Sequence, residues 1–142
     1  MDFEELRAIA ARAVNPRQLS DCADAGGVAA AILSESGAVY TGVCIDTACS
    51  LGFCAEHAAI AAMVSAGESR ILKVVAVREG GEVVPPCGRC REFIAQVHPD
   101  NMDAEVMVAP DRTATIRALL PDYWTECPPW RRRHKEAPGR HR

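Results

Sequence analysis

The chain has 142 residues, 49% of them apolar and 25% charged, which suits one packed domain and excludes a disordered tail. The net charge of −3 hides an asymmetry: residues 131–142 hold six basic groups and one acidic, while the first 130 hold ten basic and eighteen acidic. A body that acidic repels a phosphate backbone, no stretch nears the roughly 18 apolar residues of a membrane span, and the acidic amphipathic start is unlike a secretory signal, so nucleic-acid-binding, integral-membrane and secreted classes are disfavoured.

Residues 4–14 repeat apolar positions at Leu6, Ile9, Ala10, Ala13 and Val14, the spacing of a helix, which Pro16 stops. Residues 28–33 and 38–45 are short apolar runs split by Ser36-Gly37 and predict a β-hairpin. Residues 54–66 are Ala-rich with helical periodicity and end at Gly67. The β-branched run 71–77 predicts a buried strand, followed by a turn at Gly80-Gly81. Pro85-Pro86 leads into a helix over about 88–98, closed by His98-Pro99. Residues 104–109 predict a strand and 115–120 a short helix before Pro121. This α, β, β, α, β, α, β, α order implies a three-layer α/β/α domain with a mixed sheet of about five strands. The single domain is expected to span 1–127, with 128–142 a Pro- and Arg-rich tail beyond the fold.

Seven cysteines are an odd number for a disulfide framework. Without an export signal they predict reduced thiols or metal ligands and a cytoplasmic setting. Three of them form a pattern. Cys54-Ala55-Glu56 opens one predicted helix, and Cys87-Gly88-Arg89-Cys90 opens another directly after Pro85-Pro86. Helix N-termini present partial positive charge, which favours the thiolate that a metal needs. The Cys-x-x-Cys spacing sets both sulfurs on one side of a first turn, in reach of one ion. Cys54, Cys87 and Cys90 without a fourth protein ligand describe a catalytic zinc site, with one position open for water. Glu56 supplies the matching base: zinc lowers the pKa of water, and a neighbouring carboxylate can carry the proton elsewhere. Hydrolytic removal of an amino group from an aromatic ring needs both acts.

Cys54-Ala55-Glu56 together with Pro86-Cys87-Gly88-Arg89-Cys90-Arg91 resembles the cytidine deaminase family, over roughly residues 27–124. The resemblance implies one zinc per chain on Cys54, Cys87 and Cys90, Glu56 as proton shuttle, and usually a homotetramer acting on a small molecule. It implies substrate contacts at Cys44, Asp46 and Ala55. It also implies that Arg91 offsets the anionic thiolates by hydrogen-bonding a ligand sulfur. A second family arginine follows the glutamate; this chain has His57 there, either a weaker compensator or a solvent-facing helix residue.

The sugar pocket departs from that family. Its hydroxyl-binding Asn-x-Glu-Asn stretch is Cys44-Ile45-Asp46-Thr47 here, the loop from Cys44 to Cys54 is shorter, and Gly26-Gly27 replace an aromatic. These changes predict a substrate other than plain cytidine. Pro86-Cys87-Gly88-Arg89-Cys90-Arg91, His98-Pro99, and 116–121 followed by Tyr123-Trp124 are similar to blasticidin S deaminase, which shares the zinc chemistry. Cys22, Cys49 and Cys127 are expected to be incidental thiols, and Tyr123 and Trp124 core, interface or lid aromatics. The expected activity is hydrolytic deamination of a cytosine-type nucleoside or analogue. The alternatives are the same chemistry on a purine base or pterin, or a zinc-stabilised binding protein without turnover.

Overall fold

A computed structural model describes residues 1–124; Cys127, the 127/128 boundary and the tail 128–142 lie outside the described residues. The chain begins with α1 (Phe3–Ala13), which opens on a reciprocal cap. Asp2 Oδ1 accepts from the Glu5 N–H at 2.8 Å, and Glu5 Oε2 accepts from the Asp2 N–H at 2.9 Å. Leu6 and Ala10 lie fully buried on its inner face.

Six strands make one sheet: β1 (Arg17–Ser20), β2 (Ala23–Ser34), β3 (Val39–Thr47), β4 (Ile71–Arg78), β5 (Glu105–Ala109) and β6 (Arg112–Thr115). β2 pairs antiparallel with β3 on one side, and with β1 and then β4 on the other. β5 runs parallel to β4, and β6 returns antiparallel to β5, so the sheet is mixed. The α/β architecture is the expected one, with six strands rather than about five. β1 (RQLS, exposed throughout) and β6 (RTAT) are not among the expected strands. Short polar edge strands bury no face and leave no alternation to read.

The three layers follow from the two-residue period of the central strands. Ala31, Leu33, Val75 and Val77 point to one face and pack with Leu6 and Ala10 of α1. Ala30, Ile32, Val74 and Ala76 point to the other, against Ala59, Ile60 and Met63 of α2 (Ala55–Ser65) and Ile94 of α3 (Gly88–Val97). The Ala-rich composition of α2 has a direct use here. A Cβ on Gly42 of β3 would sit 2.3 Å from the Ala59 nitrogen and 2.6 Å from the Ala58 Cβ, so helix and strand touch backbone to backbone. The short α4 (Ile116–Leu119) closes the described fold, capped by the Thr115 side chain. Among the described residues, no helix is long and apolar enough to cross a membrane.

One buried polar residue holds three segments together. Asn101, fully buried in the turn between α3 and β5, accepts from the Ile71 N–H at 2.7 Å and donates to the carbonyls of Ser69 (3.0 Å) and Ile94 (3.1 Å). Asn101→Ala would strand the buried Ile71 N–H and Ile94 carbonyl and leave the part-buried Ser69 carbonyl without its partner. Each orphaned buried group costs about 1–3 kcal/mol, so a loss near 3 kcal/mol is expected in urea unfolding. A loss under about 1 kcal/mol would mean that the backbone relaxes to pair these groups another way.

Candidate active site

Two loops, each stitched to a strand by a single bridge, deliver the paired cysteines. Ile45 of β3 exchanges backbone hydrogen bonds with Phe53 at 3.0 and 2.9 Å, which fixes the approach to Cys54. Gly52 permits this contact, since a Cβ there would lie 2.0 Å from the Ile45 carbonyl oxygen. On the second loop, Val83 bridges Val77, and the Val84 N–H donates to the Ala76 carbonyl at 3.0 Å. Cys54 and Cys87 then occupy the N-cap positions of α2 and α3, both in extended conformation. Pro85-Pro86 keeps helix from forming before Cys87.

Cys87 Sγ stands 3.5 Å from Cys54 Sγ and 3.4 Å from Cys90 Sγ. A tetrahedral zinc with bonds of about 2.3 Å separates its sulfurs by about 3.8 Å, so a few tenths of an ångström would admit the ion. The donor set is chemically right for zinc, and the residues fit it. The ligand atoms of Cys54, His57 and Cys90 also lie within 4.8 Å of one another. Burial pushes the Cys54 and Cys90 thiols up, and the Glu56 charge raises Cys90 further. Cys87 moves the opposite way: burial pushes it up, but donation from the Cys90 N–H and the Cys90 and Cys54 side chains holds it below the ordinary thiol range.

Glu56 lies in the first turn of α2 and is only 4% exposed. Burial raises its carboxyl above the usual range, against hydrogen bonds from Cys90 and from its own backbone N–H. A carboxylate kept dry beside the Cys54 and Cys90 thiols has little structural use and is well placed to exchange protons.

His57 is half-buried, with Nδ1 3.4 Å from Cys90 Sγ and its ring stacked on Phe93 at 4.5 Å and 20°. Of the two readings left open by the sequence, the solvent-facing one is therefore dropped. Arg91 differs from its expectation. Its Nε donates to the Pro86 carbonyl at 2.8 Å and Nη1 to the Leu119 carbonyl at 2.9 Å, and no hydrogen bond joins it to a ligand sulfur among the described residues. One residue beyond Cys90, it leaves the helix about 100° away from the cysteine face. It braces the loop carrying Cys87 instead. Arg89, not among the expected site residues, donates to the Gly52 carbonyl at 3.4 Å and joins the two cysteine loops. Its only sequence signal is its place between the two cysteines.

The residues expected at the substrate are split. Cys44 is 8% exposed, and its Sγ accepts the Val28 N–H at 3.3 Å, at the bulge where β2 slips register against β3. Asp46, two residues on, is exposed, with Oδ2 3.9 Å from that sulfur. The Ala55 side chain is fully buried in the core, so only its main chain can meet a ligand. Cys22 and Cys49 are exposed and outside the cluster. Tyr123 packs on the core, and the Trp124 N–H donates to Glu92 Oε1 at 3.0 Å with its ring exposed.

The zinc-binding region model of cytidine and deoxycytidylate deaminases matches residues 4–105. A cytidine deaminase of Mycobacterium tuberculosis is 37% identical over 67% of this chain and 70% of its own. A blasticidin-S deaminase of Bacillus cereus is 34% identical over 69% and 76%. The crystal structure of the cytidine deaminase from Mycobacterium tuberculosis superposes with a TM-score of 0.74, covering 87% of this chain and 98% of that one at 31% identity. With its cysteine loops brought together beside a buried glutamate, this chain belongs to the cytidine and deoxycytidylate deaminase family and is a zinc-dependent hydrolytic deaminase.

Proposed function

We propose that the chain deaminates a cytosine-type nucleoside or nucleoside analogue, with Cys54, Cys87 and Cys90 holding one zinc and Glu56 moving the proton. The observation that carries this reading is the Glu56 carboxylate, 4% exposed and in the first turn after Cys54. Bound zinc supplies a Lewis acid that lowers the pKa of water toward neutrality. Glu56 takes a proton from the attacking water and gives it to the ring nitrogen next to the amino-bearing carbon. It then carries the second proton to the amino group, so that water enters, ammonia leaves and the ring keeps a carbonyl. The main chain at Ala55 and the Asp46 carboxylate line the substrate side. Arg91 acts at one remove, by fixing the Pro86 carbonyl ahead of Cys87.

A homo-oligomer, a tetramer by family resemblance, accounts for an otherwise unexplained face. Ala61, Ala62 and Val64 of α2 are exposed, and a groove lined by Ile60, Val64, Phe93 and Val97 runs between α2 and α3. An apolar helix of this kind is normally covered on both sides. A site built on three thiolate ligands fits a reducing, cytoplasmic compartment, where thiols stay unpaired. The acidic body argues against nucleic acid as substrate.

Ammonia release tests the reading, across cytidine, deoxycytidine, free cytosine, a purine base, a pterin and a cytosine nucleoside antibiotic. Turnover of cytosine nucleosides is the expected result. Turnover confined to a purine or pterin would replace it with the alternative ring, and no turnover by the zinc-loaded protein would favour a binding role. Within the nucleosides, cytidine is expected to be weak. Cys44 gives its sulfur to the Val28 N–H and offers no strong partner to a sugar hydroxyl, at about 1–3 kcal/mol per unmet group. Cys44→Asn with Asp46→Glu should raise kcat/KM for cytidine, since an amide oxygen can still accept from Val28 while its NH2 donates. An efficient wild type weakened by the swap would refute that account of the sugar.

A further inference from the structure

We infer that residues 48–52, the turn between Thr47 and the Phe53-Cys54 step, form a lid on the substrate side that is strained where it stands open and relaxes as it closes over the nucleoside. The inference rests on the nucleoside reading above.

Three observations on neighbouring residues meet in this turn. Cys49 and Ser50 both take left-handed backbone, with φ of 61° and 56°. Cβ crowds the backbone there, so residues other than Gly, Asn and Asp avoid it. Turns that need two such residues in a row are usually Asn-Gly or Gly-Gly; this one is Cys-Ser. Thr47 stands just before the turn in extended conformation, where a threonine hydroxyl normally accepts from the second or third N–H that follows. It makes no such bond, and its Oγ1 is buried without a hydrogen-bond partner among the described residues. Leu51, the next residue along, is 78% exposed. No packing offsets the strain, since Cys49 and Ser50 are exposed as well. Strain of this kind gathers where a segment moves or binds.

The turn has fixed ends and weak ties. The Ile45–Phe53 bridge pins its base, leaving the cysteine cluster undisturbed by movement of the tip. Beyond that bridge, the Ala48 N–H donates to the Cys22 carbonyl at 3.2 Å, and Arg89 Nη1 to the Gly52 carbonyl at 3.4 Å. Asp46 marks the substrate side, and the turn lies against it: a Cβ on Gly52 would sit 3.2 Å from Asp46 Cα. Returning Cys49 and Ser50 to right-handed backbone presents their N–H groups to Thr47 Oγ1. A nucleoside beside Asp46 gives Leu51 an apolar ring to cover. Closure therefore supplies ordinary backbone, a cap and burial of Leu51 together. Without a ring to cover, the ties to Cys22 and Arg89 hold the turn open.

The test removes the strain and reads function against stability. Glycine accepts left-handed backbone freely, so C49G/S50G favours the open position. In the zinc-loaded full chain, with deoxycytidine and cytidine as probes, the expected result is an unchanged or higher melting temperature and a KM raised ~5–20-fold. T47V, which deprives the closed turn of its cap, should raise KM alike, and T47S should restore most of that loss. In the E56Q chain, saturating deoxycytidine should slow amide exchange across 48–52 about tenfold or more. A turn with a structural role alone would gain stability in C49G/S50G and keep its kinetics, and that result overturns the lid. Unchanged exchange at 48–52 overturns it too. So does an L51S chain that falls apart from an oligomer, because Leu51 would then belong to a subunit contact. A wild type that releases ammonia from neither nucleoside refutes the nucleoside reading first, and the lid falls with it.

Discussion

Glu56→Gln is expected to lower turnover at least about a hundredfold while the metal stays in place. Gln keeps the shape and the hydrogen-bonding reach of the side chain but cannot accept and release a proton. The reaction needs two proton deliveries after water attacks, and among the described residues Glu56 is the carboxylate that acts on the Cys54 and Cys90 thiols. Metal content should hold for an electrostatic reason. The Glu56 charge pushes the Cys90 thiol up, so a neutral Gln makes that thiolate easier to form. The measurement pairs steady-state ammonia release with metal analysis on the same sample. Activity within a fewfold of wild type would remove Glu56 from the mechanism; loss of metal along with activity would leave the proton assignment without support.

Replacing Cys87 and Cys90 together by Ala is expected to abolish both bound zinc and activity. Cys90 is fully buried and Cys87 exposed, so neither exchange opens a large cavity, and the apo fold should survive. Thermal stability should still fall, because a metal that binds only the folded chain stabilises it by RT ln(1 + [L]/Kd). That term is about 4 kcal/mol where free zinc exceeds Kd a thousandfold. Chelator treatment should take the wild type down to the melting temperature of the double variant and leave the variant unchanged. Cys22→Ser serves as the control, since that exposed thiol lies outside the cluster and should cost neither zinc nor turnover. Full zinc content in the double variant would refute the ligand set.

Much of this site was legible in the chain because its chemistry is carried by local signals. Cys54-Ala55-Glu56 and Pro86-Cys87-Gly88-Arg89-Cys90 each mark a helix start, and each brings its functional atoms to one first turn. The hairpin, the β-branched strand at 71–77 and the Ala-rich helix were legible for the same reason, since burial imposes a period on the residues that experience it. Edge strands experience little burial, so β1 and β6 left no trace. Contacts between distant segments left none either. Nothing near Asn101 in sequence says that it will satisfy Ile71, Ser69 and Ile94. Cys44 holds a motif position of the family, yet its sulfur is committed by a bulge sixteen residues upstream at Val28.

By itself, then, the sequence determined the fold class, the zinc donors on offer and the carboxylate beside them, because residue type and helix or strand period follow from neighbours along the chain. Only the tertiary structure decided how those donors are tuned. Arg91 and His57 both adjoin motif residues, and both are polar enough to reach a thiolate. Rotation about α3 sends Arg91 to the carbonyls of Pro86 and Leu119, while packing of α2 on α3 sets His57 between Phe93 and Cys90. Which of two nearby donors meets a sulfur depends on a crossing of helices 33 residues apart, and hydrogen bonds of 3 Å reach are decided by that crossing alone.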